Sequence, residues 1–64
     1  MKLKELESVL YSTRGNIASC IVWDQLKREE LERGCSAEYA IENYGDCEIR
    51  RICADNNYLV LEVA

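Results

Sequence analysis

Apolar and polar positions follow two different periods along this chain, and the changes of period mark its elements. Leu3, Leu6, Val9 and Leu10 recur at i, i+3, i+6 and i+7, with Lys2, Lys4, Glu5, Glu7 and Ser8 on the other side. That spacing predicts a short helix over 3–11. Ser12 to Asn16 breaks it, and Gly15 suits a left-handed backbone just past a helix end. From Ile17 to Trp23 the period falls to two. Ile17, Ser19, Ile21 and Trp23 share one face and Ala18, Cys20 and Val22 the other, so both faces are largely apolar. A strand apolar on both faces belongs in the middle of a sheet.

The stretch Asp24 to Gly34 has two readings. Its residues favour a helix, with Arg28/Glu32 and Glu29/Arg33 spaced for i,i+4 pairing. Its only apolar residues, Leu26 and Leu31, are five apart, which makes no helical stripe. A hairpin is favoured instead, with Glu29 to Arg33 returning as a charged edge strand and Leu31 pointing inward. Ser36 to Tyr44 is the clearest helix. Ser36 is a good N-cap, Glu38 suits the positive end of the dipole, Ala37, Ala40, Ile41 and Tyr44 form one stripe, and Gly45 is placed as the C-cap. Glu48 to Ala54 and Tyr58 to Val63 read as a closing hairpin around Asp55-Asn56-Asn57, since Asn tolerates the positive φ of tight turns. The expected fold is α+β: one domain over 1–64, order α-β-β-α-β-β, a small antiparallel sheet with two helices on one face.

Helices on one face leave the other open. Tyr58 and Val60 are expected there, beside one of the two faces of the first strand. Self-association through that face or an edge strand, as a homodimer or higher homo-oligomer, follows as an expectation.

Size sharpens the picture. A chain of 64 residues buries only about 60% of the surface its unfolded state exposes, so little is left over once the interior is filled. The longest apolar runs, Cys20–Trp23 and Tyr58–Leu61, are far too short to cross a bilayer, and charges interrupt the N-terminus at once. The expectation is a cytoplasmic protein with no membrane contact. Four cysteines would then be free thiols in a reducing compartment, and their spacing, C-x14-C-x11-C-x5-C, lacks the close pairs of a zinc site. Buried apolar filler is the simpler role for them, and no cofactor is expected.

Net charge is −4. Glu38, Glu42, Asp46 and Glu48 lie between Arg33 and Arg50 with no base among them. Such a face repels phosphate backbones and attracts basic grooves, including the nucleic-acid-binding groove of another protein. Solvation is the plainer use of those charges. The chain has no His, hence no Ser-His or Cys-His nucleophile pair, and no phosphate-cradling glycine loop. Asp24 and Asp55 both follow strands and would hold Mg²⁺ for phosphodiester chemistry if they met at neighbouring strand ends. Asp also ends strands simply by bonding the turn backbone, which is the commoner case. A non-enzyme is expected. Arg50 and Arg51 with Tyr58 and Trp23 form the best single-strand nucleic-acid patch the sequence offers, but direct binding needs more cations than these. Arg and Tyr serve equally as anchors of protein interfaces.

Ser36 to Val63, with Glu-Asn-Tyr-Gly-Asp, then Ile-Arg-Arg-Ile and Asp-Asn-Asn-Tyr-Leu-Val-Leu-Glu-Val, resembles short accessory proteins of phages and mobile elements of Gram-positive bacteria. The resemblance implies a class that includes small inhibitors of host defence such as anti-CRISPR proteins. The resulting expectation is a protein-binding inhibitor of a larger bacterial protein. Its candidate contact residues are Glu38, Glu42, Asp46, Arg50, Arg51, Tyr58 and Val60.

Overall fold

The computed structural model describes residues 1–12 and 19–64. The turn at Gly15 and the strand residues Ile17 and Ala18 lie outside the described residues. A 3-10 turn, Leu3–Leu6, runs into a short helix α1, Glu7–Ser12. Then come β1 (Cys20–Asp24), β2 (Glu29–Cys35), α2 (Ala37–Tyr44), β3 (Ile49–Asp55) and β4 (Tyr58–Val63). The α+β class and the β-β-α-β-β order after the first segment stand, and the stretch after Asp24 is the hairpin rather than the helix; the helix expected over 3–11 is a 3-10 turn followed by a six-residue helix. Leu31 packs against the core while Leu26 rides the turn, 78% exposed.

The sheet is mixed, not purely antiparallel. Its order is β2-β1-β4-β3, and β1 lies parallel to β4. The two hairpins are antiparallel within themselves. Helix α2 carries the chain from the β2 edge across the sheet to the β3 edge, and β4 then returns into the middle, beside β1. Two central strands result, and both are apolar on both faces, as central strands must be.

Extra residues bend the edges. Leu31 is unpaired between Glu32 and Glu30, Gly34 between Cys35 and Arg33, and Arg50 between Ile49 and Arg51. Gly34 takes φ +79, the left-handed position where a bulge favours glycine. The start of β3 is covered on its outer side by the N-terminus. Leu3 N–H donates to the Cys47 carbonyl at 2.9 Å, Ile49 N–H donates to the Met1 carbonyl at 2.8 Å, and the Met1 ammonium pairs with Glu48. Covering an edge in this way removes a template for strand addition.

The core lies between the helices and one sheet face. Leu3, Cys20, Val22, Leu61 and Val63 are fully buried, with Leu10, Ala37 and Ala40 against them. Ser36 caps α2 by accepting the Tyr39 N–H on its hydroxyl at 3.0 Å. Gly45 ends α2 but in a right-handed conformation, φ −60. Its glycine is required by close approach instead. A Cβ there would collide with the Ile41 carbonyl oxygen and lie 3.2 Å from Lys4 Cβ.

The β3–β4 turn is made by Asn56 (φ 48) and Asn57 (φ 73), both left-handed as a type I′ hairpin needs. Asn57→Gly is therefore expected to hold or raise stability by up to about 1 kcal/mol, and Asn57→Val to lower it by about 1–2 kcal/mol. Urea midpoints of the two variants check this.

Candidate interaction surface

Strand parity sorts the sheet residues. Cys20, Val22, Leu59, Leu61 and Val63 face the helices, so Ile21, Trp23, Tyr58, Val60 and Glu62 face the other way. Register then aligns them into rungs. Cys53, Val60, Ile21 and Arg33 form one rung across all four strands, and Arg51, Glu62, Trp23 and Glu30 form the next. Tyr58 stands opposite Asp55 one rung to the other side. The face is thus an apolar strip along the two central strands with charged side chains on the two edge strands. Ile21 is buried, and Trp23, Cys53, Tyr58 and Val60 are half-buried. No helix lies over this strip among the described residues.

Its two arginines, Arg33 and Arg51, are paired within the chain. Arg33 donates to Glu30 from Nε and Nη2, the shortest contact being 2.8 Å, and its guanidinium sits 5.3 Å over the Tyr58 ring. Arg51 donates to Glu62 at 3.1 Å. Glu62 also accepts from Gln25 Nε2 at 2.6 Å and from the Cys53 thiol at 3.6 Å, and its side chain is only 13% exposed. The Gln25 hydrogen bond, with the Arg51 charge, holds the Glu62 carboxyl below its ordinary value of 4.5. A carboxyl more acidic when folded stabilises the fold above the ordinary value and loses that contribution as pH falls through the folded one. Glu62→Gln is expected to be less stable than the wild type at pH 7 and to lose less stability between pH 5 and pH 3. Denaturation midpoints across that range measure both.

The candidate residues from the sequence fall on two opposite sides. Arg51, Tyr58 and Val60 share the open sheet face. Glu38 and Glu42 are exposed on α2, and Asp46 follows that helix, on the far side of the molecule. Asp46 is 3.0 Å from Lys4 Nζ, a contact that holds its carboxyl below the usual range. Glu48 is likewise held low by the N-terminal ammonium. Arg50 is the exposed extra residue of the β3 bulge.

Asp24 and Asp55 do not meet. Asp24 pairs in register with Val63 and Asp55 with Tyr58, the two ends of β4. They are separated by about 17 Å along the strand direction. Asp24 accepts the N–H of Leu26 at 2.9 Å and of Lys27 at 3.1 Å, so it serves the turn. The four thiols are dispersed as well. Cys20 and Cys35 oppose each other on the helix side, Cys47 follows α2, and Cys53 is on the open face. Burial, with Cys35 beside it, pushes the Cys20 thiol up to about 11. Among the described residues no three His, Cys, Asp or Glu side chains converge as a metal site.

Two features were missed in the sequence. Tyr39 and Tyr44 both direct their hydroxyls at Glu32 Oε1, at 3.3 and 3.4 Å, tying α2 to the β2 edge. The Glu32 charge raises the Tyr39 hydroxyl, and burial followed by Glu32 raises that of Tyr44. The pairing of Glu62 with Arg51 and Gln25 is invisible without the register. The alternation of Tyr58, Val60 and Glu62 against Leu59, Leu61 and Val63 is the one sequence signal that points to it. No family model, curated protein or solved structure matches the chain.

Proposed function

We infer that this chain is a small protein-binding protein that docks through its open sheet face on a larger partner. The observation that carries the reading is the strip Ile21, Trp23, Val60, Tyr58 and Cys53, flanked by Arg33 and Arg51, which are already paired with Glu30 and Glu62. Covering its centre removes apolar surface from water while Arg33 and Arg51 keep their glutamate partners. Aromatic and Arg side chains, the usual anchors of an interface, stand at its rim. The resemblance to phage accessory proteins suggests the form of the activity: a stoichiometric inhibitor that blocks a bacterial defence protein by occupying it, with no catalytic step of its own.

A nucleic acid fits this face less well. Three cations, Arg28, Arg33 and Arg51, stand at this face or its end against three carboxylates, Glu30, Asp55 and Glu62, and Arg33 and Arg51 are engaged by glutamates. Phosphate neutralisation needs free cations. A second copy of the chain is the other occupant to consider. The test is capture by tagged protein from a Gram-positive host extract, comparing wild type with Val60→Lys, alongside light scattering of the purified chain. A stoichiometric bacterial protein lost in the variant supports the reading. Heparin retention abolished by Arg51→Glu, or a stable dimer dissociated by Val60→Lys with no captured protein, contradicts it.

A further inference from the structure

At the end of the open strip, Trp23, Gln25, Arg28 and Glu62 line a shallow, open notch of about 360 Å³. Its charges are unequal. Glu62 is withdrawn, 13% exposed, and taken up by Gln25, Arg51 and the Cys53 thiol. Arg28 is exposed and has no carboxylate partner among the described residues. The nearest acids in sequence, Asp24 and Glu29, pair with each other in register on the helix side of the sheet, and Asp24 is occupied by turn amides. Arg33 and Arg51 on the same face are both held by glutamates. The notch therefore offers an aromatic ring and one guanidinium uncommitted among the described residues.

The backbone at Arg28 adds a second observation. Arg28 has φ 55, the left-handed region that favours glycine or asparagine. A long side chain there makes the turn less stable than glycine would, so the turn itself gives no reason for an arginine.

We propose that this notch, resting on the reading of the open face as a docking surface, recognises a partner segment that places an aliphatic side chain against Trp23 and a side-chain carboxylate on Arg28. Such a segment uses both groups the notch presents. Arg is the residue whose planar donors suit a carboxylate, and a desolvated charge of the opposite sign adds selectivity against basic segments.

Trp23 is the chain's single tryptophan, so its fluorescence reports the notch directly. The probes are two hexapeptides with acetylated and amidated ends, one alternating leucine with aspartate and one alternating leucine with lysine. The acidic peptide is expected to bind wild type at least fivefold more tightly. Arg28→Gly should abolish that preference while leaving the melting temperature equal or higher, and Arg50→Gly should leave the preference intact. Equal binding of both peptides, or a preference that survives Arg28→Gly, overturns the proposal while leaving the open face as a docking surface. A tenfold gain on freeing the C-terminus of the acidic peptide also overturns it, because the notch would then read a chain end. Failure of the acidic peptide to perturb Trp23 overturns it too; the open-face reading is judged separately, by capture with Val60→Lys.

Discussion

Leu61→Ala is expected to lower stability by about 3 kcal/mol, the usual cost of emptying a leucine site in a closed core. Leu61 is fully buried at the middle of β4, between β1 and β3, and faces the helices with Val22 beside it in register. Few neighbours can move to fill the space, because both flanking strands are tied by ladder hydrogen bonds. A domain of 64 residues has about 3–10 kcal/mol in total, so the loss takes a large share of it. The melting temperature should fall by about 12–24 °C, which a circular dichroism melt measures. A fall under about 5 °C would mean that Leu61 is not the centre of the interior.

Val60→Lys is expected to leave the fold intact and to remove partner binding. Val60 is one residue away from Leu61 and points the opposite way, half-buried between Cys53 and Ile21. A lysine there lays its stem along the strip and keeps its ammonium in water, so folding should cost under about 1 kcal/mol. A partner seated on the strip must bury that ammonium, which should cost about 2 kcal/mol or more of affinity, roughly 30-fold. Glu42→Lys, on the outer side of α2, should change affinity by less than threefold despite the larger change of charge. Surface plasmon resonance with the captured protein compares all three chains. The contrast between positions 60 and 61 is the sharpest consequence of the fold: adjacent residues, one essential to stability and one to contact.

Local chemistry made much of the fold legible. Ser36 with the Ala37, Ala40, Ile41 and Tyr44 stripe located α2, and Asn56-Asn57 located the closing turn, because caps and tight turns depend on a few adjacent residues. The two leucines at i,i+5 inclined the reading after Asp24 toward the hairpin but left the helix open. Strand order was not legible. Whether β4 lies at an edge or beside β1 is decided by pairing between residues some forty positions apart, to which no local pattern responds. The apolar character of both its faces was the only trace. Gly45 shows the same limit: its role depends on where Lys4 arrives from the other end of the chain.

The candidate site was legible in part for a related reason. Alternation along β4 separated Tyr58 and Val60 from the core; of Arg50 and Arg51, both expected beside Tyr58, the register puts Arg51 on the open face and leaves Arg50 at the bulge. Trp23 fell on the same face as Ile21 by parity. The acidic set Glu38, Glu42 and Asp46 was grouped with them only because sequence carries no sense of side. Arg28 was overlooked because its interest lies in a positive φ and a guanidinium beside Trp23 with no carboxylate partner among the described residues, and both require coordinates.

Site-specific photo-crosslinking tests the docking face most directly. A benzophenone amino acid replaces Tyr58 on the open face in one chain and Tyr39, 45% exposed on α2, in another. Irradiated in a Gram-positive host extract, the Tyr58 chain should form one covalent adduct with a larger protein and the Tyr39 chain none. An adduct from position 39 and none from position 58 would place the contact on the helix side and contradict the account.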